Sequence, residues 1–473
     1  MSIPALLAAA DPSLAAVVDG DVTLTYGELR DAARAFGASI PAGARVAMWA
    51  PNSRQWIVAV LGLWEAGATL VPINTRFKGA EASVILERSG ASVLLTVRDF
   101  LGTDYASLVD TSALDVRYLD DALPSGDPVD VDVSDEDVSD ILFTSGTTGV
   151  PKGVVMTHGR TLTVARDWVA MTGLGAGDRY LMVNPYFHMF GLKAGILASV
   201  AAGATMYPEP VFDAGRVLQR VAEEKITVLP GAPTIYQSLL DHPERDNYDL
   251  SSLRVAVTGA ADIPVALIER VRAELPFSVV VTGYGLTEAG TVSATSPDDD
   301  PSTVATTVGR ARPGYTIRID GDGDVGEILV QSPTVMREYL DDPDATAATI
   351  VDGWLHTGDL GTIGDDGCLR IVGRSKDMFI VGGFNAYPAE IENALLRHPD
   401  VQQVAVIGVP DERLGEVAMA FVVGAVDSDA LIAWARNEMA NYKVPRRVEV
   451  VDALPVNATG KVVKDELRAR VTA

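Results

Sequence analysis

Apolar and polar positions along the chain switch between two textures. Helical stretches are predicted over residues 26–37, 53–66, 79–89 and 159–170, with short β-rich runs at 44–49, 92–97, 180–184, 226–230 and 278–282. This alternation predicts helices stacked on sheets, an α/β fold, and not a helical bundle. The most apolar segment, IVAVLGLWEAGATLVP at 57–72, is interrupted by Glu65 and ended by Pro72. It reads as a buried helix leading into a strand. No run reaches the roughly 18–20 uninterrupted apolar residues of a membrane span. Residues 3–10, IPALLAAA, have no basic leader and stop at Asp11, unlike a secretion signal. Residues 109–140 are rich in Asp, Ser and Pro, and read as a surface connection into a strand ILFT at 141–144.

Past residue 310 the texture changes. YTIRI (315–319), GEILV (326–330) and CLRIV (368–372) are separated by Gly/Asp turns and predict the β-hairpins of a small subdomain. After Arg374 it changes again: a turn at 382–388, a helix at 389–398, strands at 401–409 and 418–424, and a helix near 429–440. That reads as a compact α+β domain of about one hundred residues, near the common domain size. The expected division is a large N-terminal domain, 1–373, and a small mobile C-terminal domain, 374–473. With no long linker between them, any movement needs a tight hinge. No internal repeat is visible.

Composition narrows the function classes. The 473 residues carry 64 Asp+Glu against 38 Lys+Arg, a net charge of -26, and 48% are hydrophobic, as in an ordinary globular core. A single Cys excludes an internal disulfide scaffold. The acidic balance argues against a nucleic-acid partner but leaves room for a polyanionic small substrate at a local site. The expectation is a soluble, cytoplasmic protein without a transmembrane segment; loose membrane contact stays open for a lipid-like substrate, and the oligomeric state is left open.

The strongest chemical signal is TSGTTGVPKG at 144–153. Glycines let backbone amides approach an anion, hydroxyls donate to phosphate oxygens, and Lys152 adds mobile positive charge. The spacing is neither that of a Walker A loop nor a Rossmann GxGxxG turn; the bland reading is a surface loop. In GYGLTE (283–288), Tyr284 can pack on a planar base, Thr287 can bind a phosphoryl oxygen, and Glu288 can hold Mg²⁺ with hard oxygens. The alternative is a strand end with a buried Tyr and an exposed Glu. In WLHTGDLG (354–361), Asp359 can accept two ribose hydroxyls or cap its own turn. GRSKD (373–377) offers Arg374 to ribose and phosphate, and Gly382–Gly383 permit close approach of an extended ligand. LPVNATGK (454–461) is a turn presenting Lys461, which is suited to neutralising charge on phosphoryl and carboxylate oxygens or is an ordinary surface lysine. His188, in NPYFHMFG (184–191), can line a pocket and meet an acyl carboxylate, or be a satisfied core histidine. His158 reads as structural, Lys193 as a surface residue or the partner of a polar acyl tail, and Cys368 has no partners for thiol catalysis. No spacing supports a zinc site.

Taken together and in this order, these motifs resemble the adenylate-forming superfamily, which includes acyl-CoA synthetases, luciferases and peptide-synthetase adenylation domains. The resemblance spans essentially the whole chain. It implies a large adenylating domain and a C-terminal domain that swings between adenylating and thioester-forming poses. It also implies roles. Thr144, Ser145, Gly146, Thr147, Thr148, Gly149 and Lys152 match the triphosphate loop; Gly259, Ala260 and Ala261, within TGAAD, match the segment beside adenine. Tyr284 matches the base-stacking aromatic, Thr287 and Glu288 the phosphate and magnesium residues, and Asp359 and Arg374 the ribose contacts. Lys461 matches the lysine needed for adenylation; Gly382, Gly383 and Phe384 match the loop beside the pantetheine arm. Many relatives read Asp before the arginine, where this chain has Gly373, a residue that can absorb a hinge rotation.

The resemblance implies ATP, Mg²⁺ and coenzyme A acting on a carboxylic acid. The local sequences are similar to actinobacterial fatty-acid and acyl-CoA ligases. The leading expectation is activation of a medium or long fatty acid or a cyclic alkanoic acid. A steroid-ring-derived propionate is the named sub-hypothesis, and aryl acids rank below. An enzyme loading a carrier protein and a non-catalytic ATP/acyl sensor are the alternatives; a luciferase-like oxygenase is disfavoured.

Overall fold

The computed structural model describes residues 1–128, 130–144, 151–259, 265–321, 323–374, 377–381, 384–411, 413–439, 441–457 and 461–472. The expected α/β architecture is present. The helices Tyr26–Gly37, Arg54–Glu65, Gly79–Ser89 and His158–Thr172 fall where the pattern predicts them. Their starts have local causes. Thr25 and Glu28 form a reciprocal capping box, and the Ser53 hydroxyl accepts from the Trp56 amide.

Among the described residues, the central sheet runs Glu338–Tyr339, Lys152–Thr157, Val138–Thr144, Thr69–Pro72, Arg45–Trp49, Val93–Thr96 and Asp115–Tyr118 from edge to edge. Its inner strands pair in parallel, and Lys152–Thr157 returns antiparallel to Val138–Thr144. A second sheet joins Val22–Thr25, Ala15–Asp19, Thr205–Pro208 and Arg179–Met182. Bridges at Val228 carry it on to Val255–Gly259, Val279–Leu286, Gly290–Ala294 and Arg310–Ala311. A third sheet pairs Thr316–Asp320, Gly326–Gln331 and Trp354–Ile363, with Leu369–Arg374 on the last of these.

Two expectations need correction. The strand expected at 226–230 shrinks to single bridges at Val228, because Pro230 has no amide with which to continue the ladder. The connection at 109–140 contains an edge strand, Asp115–Tyr118, parallel to Val93–Thr96. Its two charges hid it from a reading based on apolar runs; charge is what keeps such an edge from pairing with another chain.

The C-terminal residues build their own core. Phe379, Ile391, Val406, Phe421, Leu431 and Leu467 belong to one buried apolar cluster, confined to this end of the chain. Strands Val401–Asp411 and Gly415–Gly424 form its central ladder. Among the described residues, no helix is long and apolar enough to cross a membrane.

Candidate active site

The site assembles at strand ends. Thr144 closes one strand and Lys152 opens the next, and the two residues face each other across the antiparallel pair. Ser145, Gly146, Thr147, Thr148 and Gly149 lie outside the described residues, as do Ala260, Ala261, Gly382 and Gly383. The Lys152 ammonium stands 4.8 Å over the Tyr339 ring, within reach of the ring's negative face.

Tyr339 links that lysine to Glu288. Its phenol donates to Glu288 Oε1 at 2.9 Å, while the Glu288 carbonyl accepts from the Met336 amide. Glu288 and Thr287 lie in the turn joining Val279–Leu286 to Gly290–Ala294. Burial raises the Glu288 carboxyl above its ordinary value; the Tyr339 bond and the Arg374 charge oppose that shift. The alternative of an exposed Glu at a strand end is thereby set aside. Tyr339 is a site residue that sequence reasoning missed.

A second group meets the first. Strands Trp354–Ile363 and Leu369–Arg374 pair so that Asp359 faces Arg374. Asp359 is buried, yet both its carboxylate oxygens are engaged: Oδ1 by Arg374 Nε at 3.0 Å and Oδ2 by the Tyr284 phenol at 2.6 Å. Asp359 is therefore not a turn residue satisfied by its own backbone. Burial drives the Tyr284 phenol well above its ordinary value, so it remains a donor. Glu288 is close enough to feel both Arg374 and Asp359. Gly259 and Gly283 face each other across the adjoining parallel pair, and a Cβ on Gly283 would come within 2.9 Å of the Ser293 carbonyl.

His188 caps the short helical turn Met189–Gly191, accepting from the Phe190 amide at Nδ1. Burial pulls its imidazole down to about 4, so the ring is neutral near neutral pH. His158 is structural, as expected: it is buried and accepts the Ile3 amide. Lys193 is a correction. It is 1% exposed and paired with the buried Asp140 at 2.9 Å, neither on the surface nor unmatched. Cys368 is buried without a catalytic triad, and no metal-holding cluster of His, Cys, Asp and Glu occurs among the described residues.

Lys461 arrives from the other end of the chain. Asn457 and Lys461 bond in both directions: the Lys461 amide donates to Asn457 Oδ1, and the Asn457 amide donates to the Lys461 carbonyl. These bonds fix the backbone of the exposed Lys461 against Asn457. The Asn457 carbonyl also accepts from Arg76 Nη1 at 3.2 Å, which ties Asn457 to the N-terminal half. Phe384 opens the strand Phe384–Ala386.

Residues 7–340 match the profile described as AMP-binding enzyme, and residues 390–461 match AMP-binding enzyme C-terminal domain. The chain is 50% identical to the 3-[(3aS,4S,7aS)-7a-methyl-1,5-dioxo-octahydro-1H-inden-4-yl]propanoyl:CoA ligase of Rhodococcus jostii, over 96% of this chain and 95% of that protein. It is 49% identical to the protein of the same name from Mycobacterium tuberculosis, over 97% and 96%. Among solved structures, the O-succinylbenzoate coenzyme A synthetase of Bacillus subtilis in complex with ATP and magnesium ion superposes with a TM-score of 0.88 at 30% identity, covering 99% of both chains.

Proposed function

We propose a function from the premise that this chain belongs to the AMP-binding enzyme family. It is an ATP-dependent, AMP-forming acid–thiol ligase that joins a carboxylic acid to coenzyme A. The observation carrying the residue-level reading is that two groups, Lys152–Tyr339–Glu288 and Tyr284–Asp359–Arg374, are joined through the strand Val279–Leu286, which carries Tyr284, and the turn after it, which carries Glu288. One can hold a polyphosphate and the other a ribose, side by side.

A free carboxylate is a poor electrophile. Attack of its oxygen on the α-phosphorus of ATP forms an acyl-adenylate and expels pyrophosphate. The thiolate of coenzyme A then attacks the acyl carbon and AMP leaves. Thr144, Lys152, Thr287 and Lys461 offset the charge that develops on phosphoryl oxygens. Asp359 and Arg374 orient the ribose, and Tyr284 and Gly259 flank the base. Glu288 suits Mg²⁺: a carboxylate whose ionised form is penalised by burial gains from a cation at its oxygens. The ion, when bound, supplies charge neutralisation along the triphosphate.

For the acid, the reading favoured is a compact bicyclic propanoate of the kind named for the two relatives, ahead of straight-chain fatty acids. We read the apolar segment 184–198, NPYFHMFGLKAGILA, as its wall, with the neutral His188 near the mouth. The test is acid-dependent pyrophosphate release across short, medium and long alkanoates, benzoates and ring-bearing propanoates, with coenzyme A added separately. Release with the bicyclic propanoate at a kcat/KM above every alkanoate is expected. Release with none of the acids would overturn the enzymatic reading, and thioester formation only on a carrier protein would replace coenzyme A as acceptor.

Tyr339→Phe probes the link between the two phosphate-side residues. The ring stays over Lys152, but Glu288 loses its donor. A hydrogen bond to a charged group is worth about 1.5–3 kcal/mol. Nucleotide affinity in the presence of Mg²⁺ is expected to fall about tenfold or more, with the thioester-forming step unchanged. Unaltered nucleotide titrations would remove Tyr339 from the site.

A further inference from the structure

A buried ion pair lies where the mechanism makes no use of it. Asp140 is 0% and Lys193 is 1% exposed, and Asp140 Oδ1 stands 2.9 Å from the Lys193 ammonium. The other carboxylate oxygen accepts from Ser139 Oγ at 2.6 Å and Thr161 Oγ1 at 2.8 Å. Asp140 belongs to the strand Val138–Thr144, whose far end is Thr144. Lys193 belongs to a π-helical turn, Leu192–Leu197, which directly follows Met189–Gly191 and its capping residue His188.

Both features ask for an explanation. Removing two charges from water is expensive, and a buried pair is often no more stabilising than well-packed apolar residues of the same size. A π-helical turn is likewise rare and concentrates at functional sites. Here the two coincide. Tyr180 donates to the Ala194 carbonyl inside the turn, and Leu192, Ala194, Ile196 and Leu197 pack into the main apolar core, contacts that set no single depth as a directional charge pair does. The tie to Asp140 fixes the depth at which the segment sits. Its continuation toward His188 is tightly set as well: a Cβ on Gly191 would lie 2.2 Å from the Pro185 carbonyl, so displacement of the turn passes into the His188 loop instead of being absorbed.

We propose that the Asp140–Lys193 pair is a positioning device that fixes the Leu192–Leu197 turn, and through it the acyl wall starting at His188, so that the pair sets which carboxylic acid the enzyme accepts. This rests on the reading that 184–198 forms the acyl wall. Neither residue is catalytic; both act through the wall they hold. A pocket that differs by a single methylene already discriminates acids about 10–200-fold, so a small displacement of the wall is enough to reorder substrates.

The test uses the full-length enzyme and three variants: Lys193→Met, Asp140→Leu, and the two combined. Each single variant strands a buried charge and is expected to melt at a markedly lower temperature; the double variant removes both charges and is expected to recover most of that loss. Its acid profile is nevertheless expected to change. The ratio of kcat/KM for the bicyclic propanoate to that for a straight-chain alkanoate should shift by about tenfold or more, carried by the KM for the acid, while the KM for ATP stays within twofold. A purely structural pair would restore the acid ranking along with the melting temperature, and that result overturns the proposal. Should the double variant not fold, Thr161→Val supplies the reading. It withdraws one bond from Asp140 and keeps both charges; a raised acid KM at constant ATP KM supports the proposal, and an unchanged acid KM overturns it. A parent enzyme silent toward every acid would instead defeat the functional reading, and this inference with it.

Discussion

Lys461→Ala is expected to reduce acid-dependent pyrophosphate release by about 10²–10³-fold, the usual consequence of removing one preorganised donor from developing negative charge. The physical case begins with the turn. Asn457 and Lys461 bond reciprocally through backbone and side chain, which fixes the backbone that carries the lysine. The Arg76 bond to the Asn457 carbonyl ties this segment to the N-terminal half. The lysine is exposed, so withdrawing its side chain leaves no cavity and should shift the melting temperature by less than about 2 °C, as for ordinary surface substitutions. Catalysis and stability therefore separate cleanly. The decisive comparison is between half-reactions: transfer of a supplied acyl-adenylate to coenzyme A should retain most of its rate, because charge on the triphosphate no longer has to be offset in that step. Equal losses in the two assays would show that Lys461 supports the fold of the C-terminal domain and not the adenylating transition state.

The contrast between what the sequence made legible and what it hid has a physical pattern. Thr144, Glu288, Asp359 and Lys461 were readable because each interrupts an apolar or β-rich run with a polar group, at a point where a strand ends or a turn closes. What such a reading lacks is register. That Asp359 faces Arg374 follows from the ladder between two strands, and that its second oxygen goes to Tyr284 follows from a separate sheet; no local spacing encodes either. Tyr339 was missed for the same reason, since its partners Glu288 and Lys152 come from a turn and a strand far apart in the sequence. Lys193 was misread because a lysine is usually exposed, and only its carboxylate partner across the core overturns that prior. The edge strand Asp115–Tyr118 was hidden by its charge, and the strand expected at 226–230 was cut short by Pro230. Local pattern thus picks out the candidate groups, while nonlocal pairing determines which of them touch.

Gly373→Pro is expected to suppress thioester formation at least tenfold more than adenylate formation. Gly373 sits with φ at +155°, in a region that L side chains rarely adopt, on the strand Leu369–Arg374 opposite Leu360. The residue lies immediately before Arg374, at the expected junction between the large domain and the C-terminal core. An ideal Cβ at Gly373 would meet nothing within 4 Å, so tight packing does not explain the glycine. Backbone freedom is the reading proposed: this position holds one unusual conformation in the present arrangement, and a hinge here would let it reach another if the C-terminal domain turns. Proline fixes φ near −65° and removes the amide, which excludes both the observed conformation and free passage between conformations. Gly373→Ala is the milder control. It adds a methyl into open space, so any loss comes from the backbone alone, at about 1–3 kcal/mol for a residue held in a sparsely populated region. The two substitutions should therefore rank in order, Pro below Ala, in the ratio of thioester to adenylate rates. If both variants lost the two half-reactions in equal proportion, the defect would lie in the Asp359–Arg374 ladder, proposed above to hold ribose, and the pivot would have to be sought elsewhere.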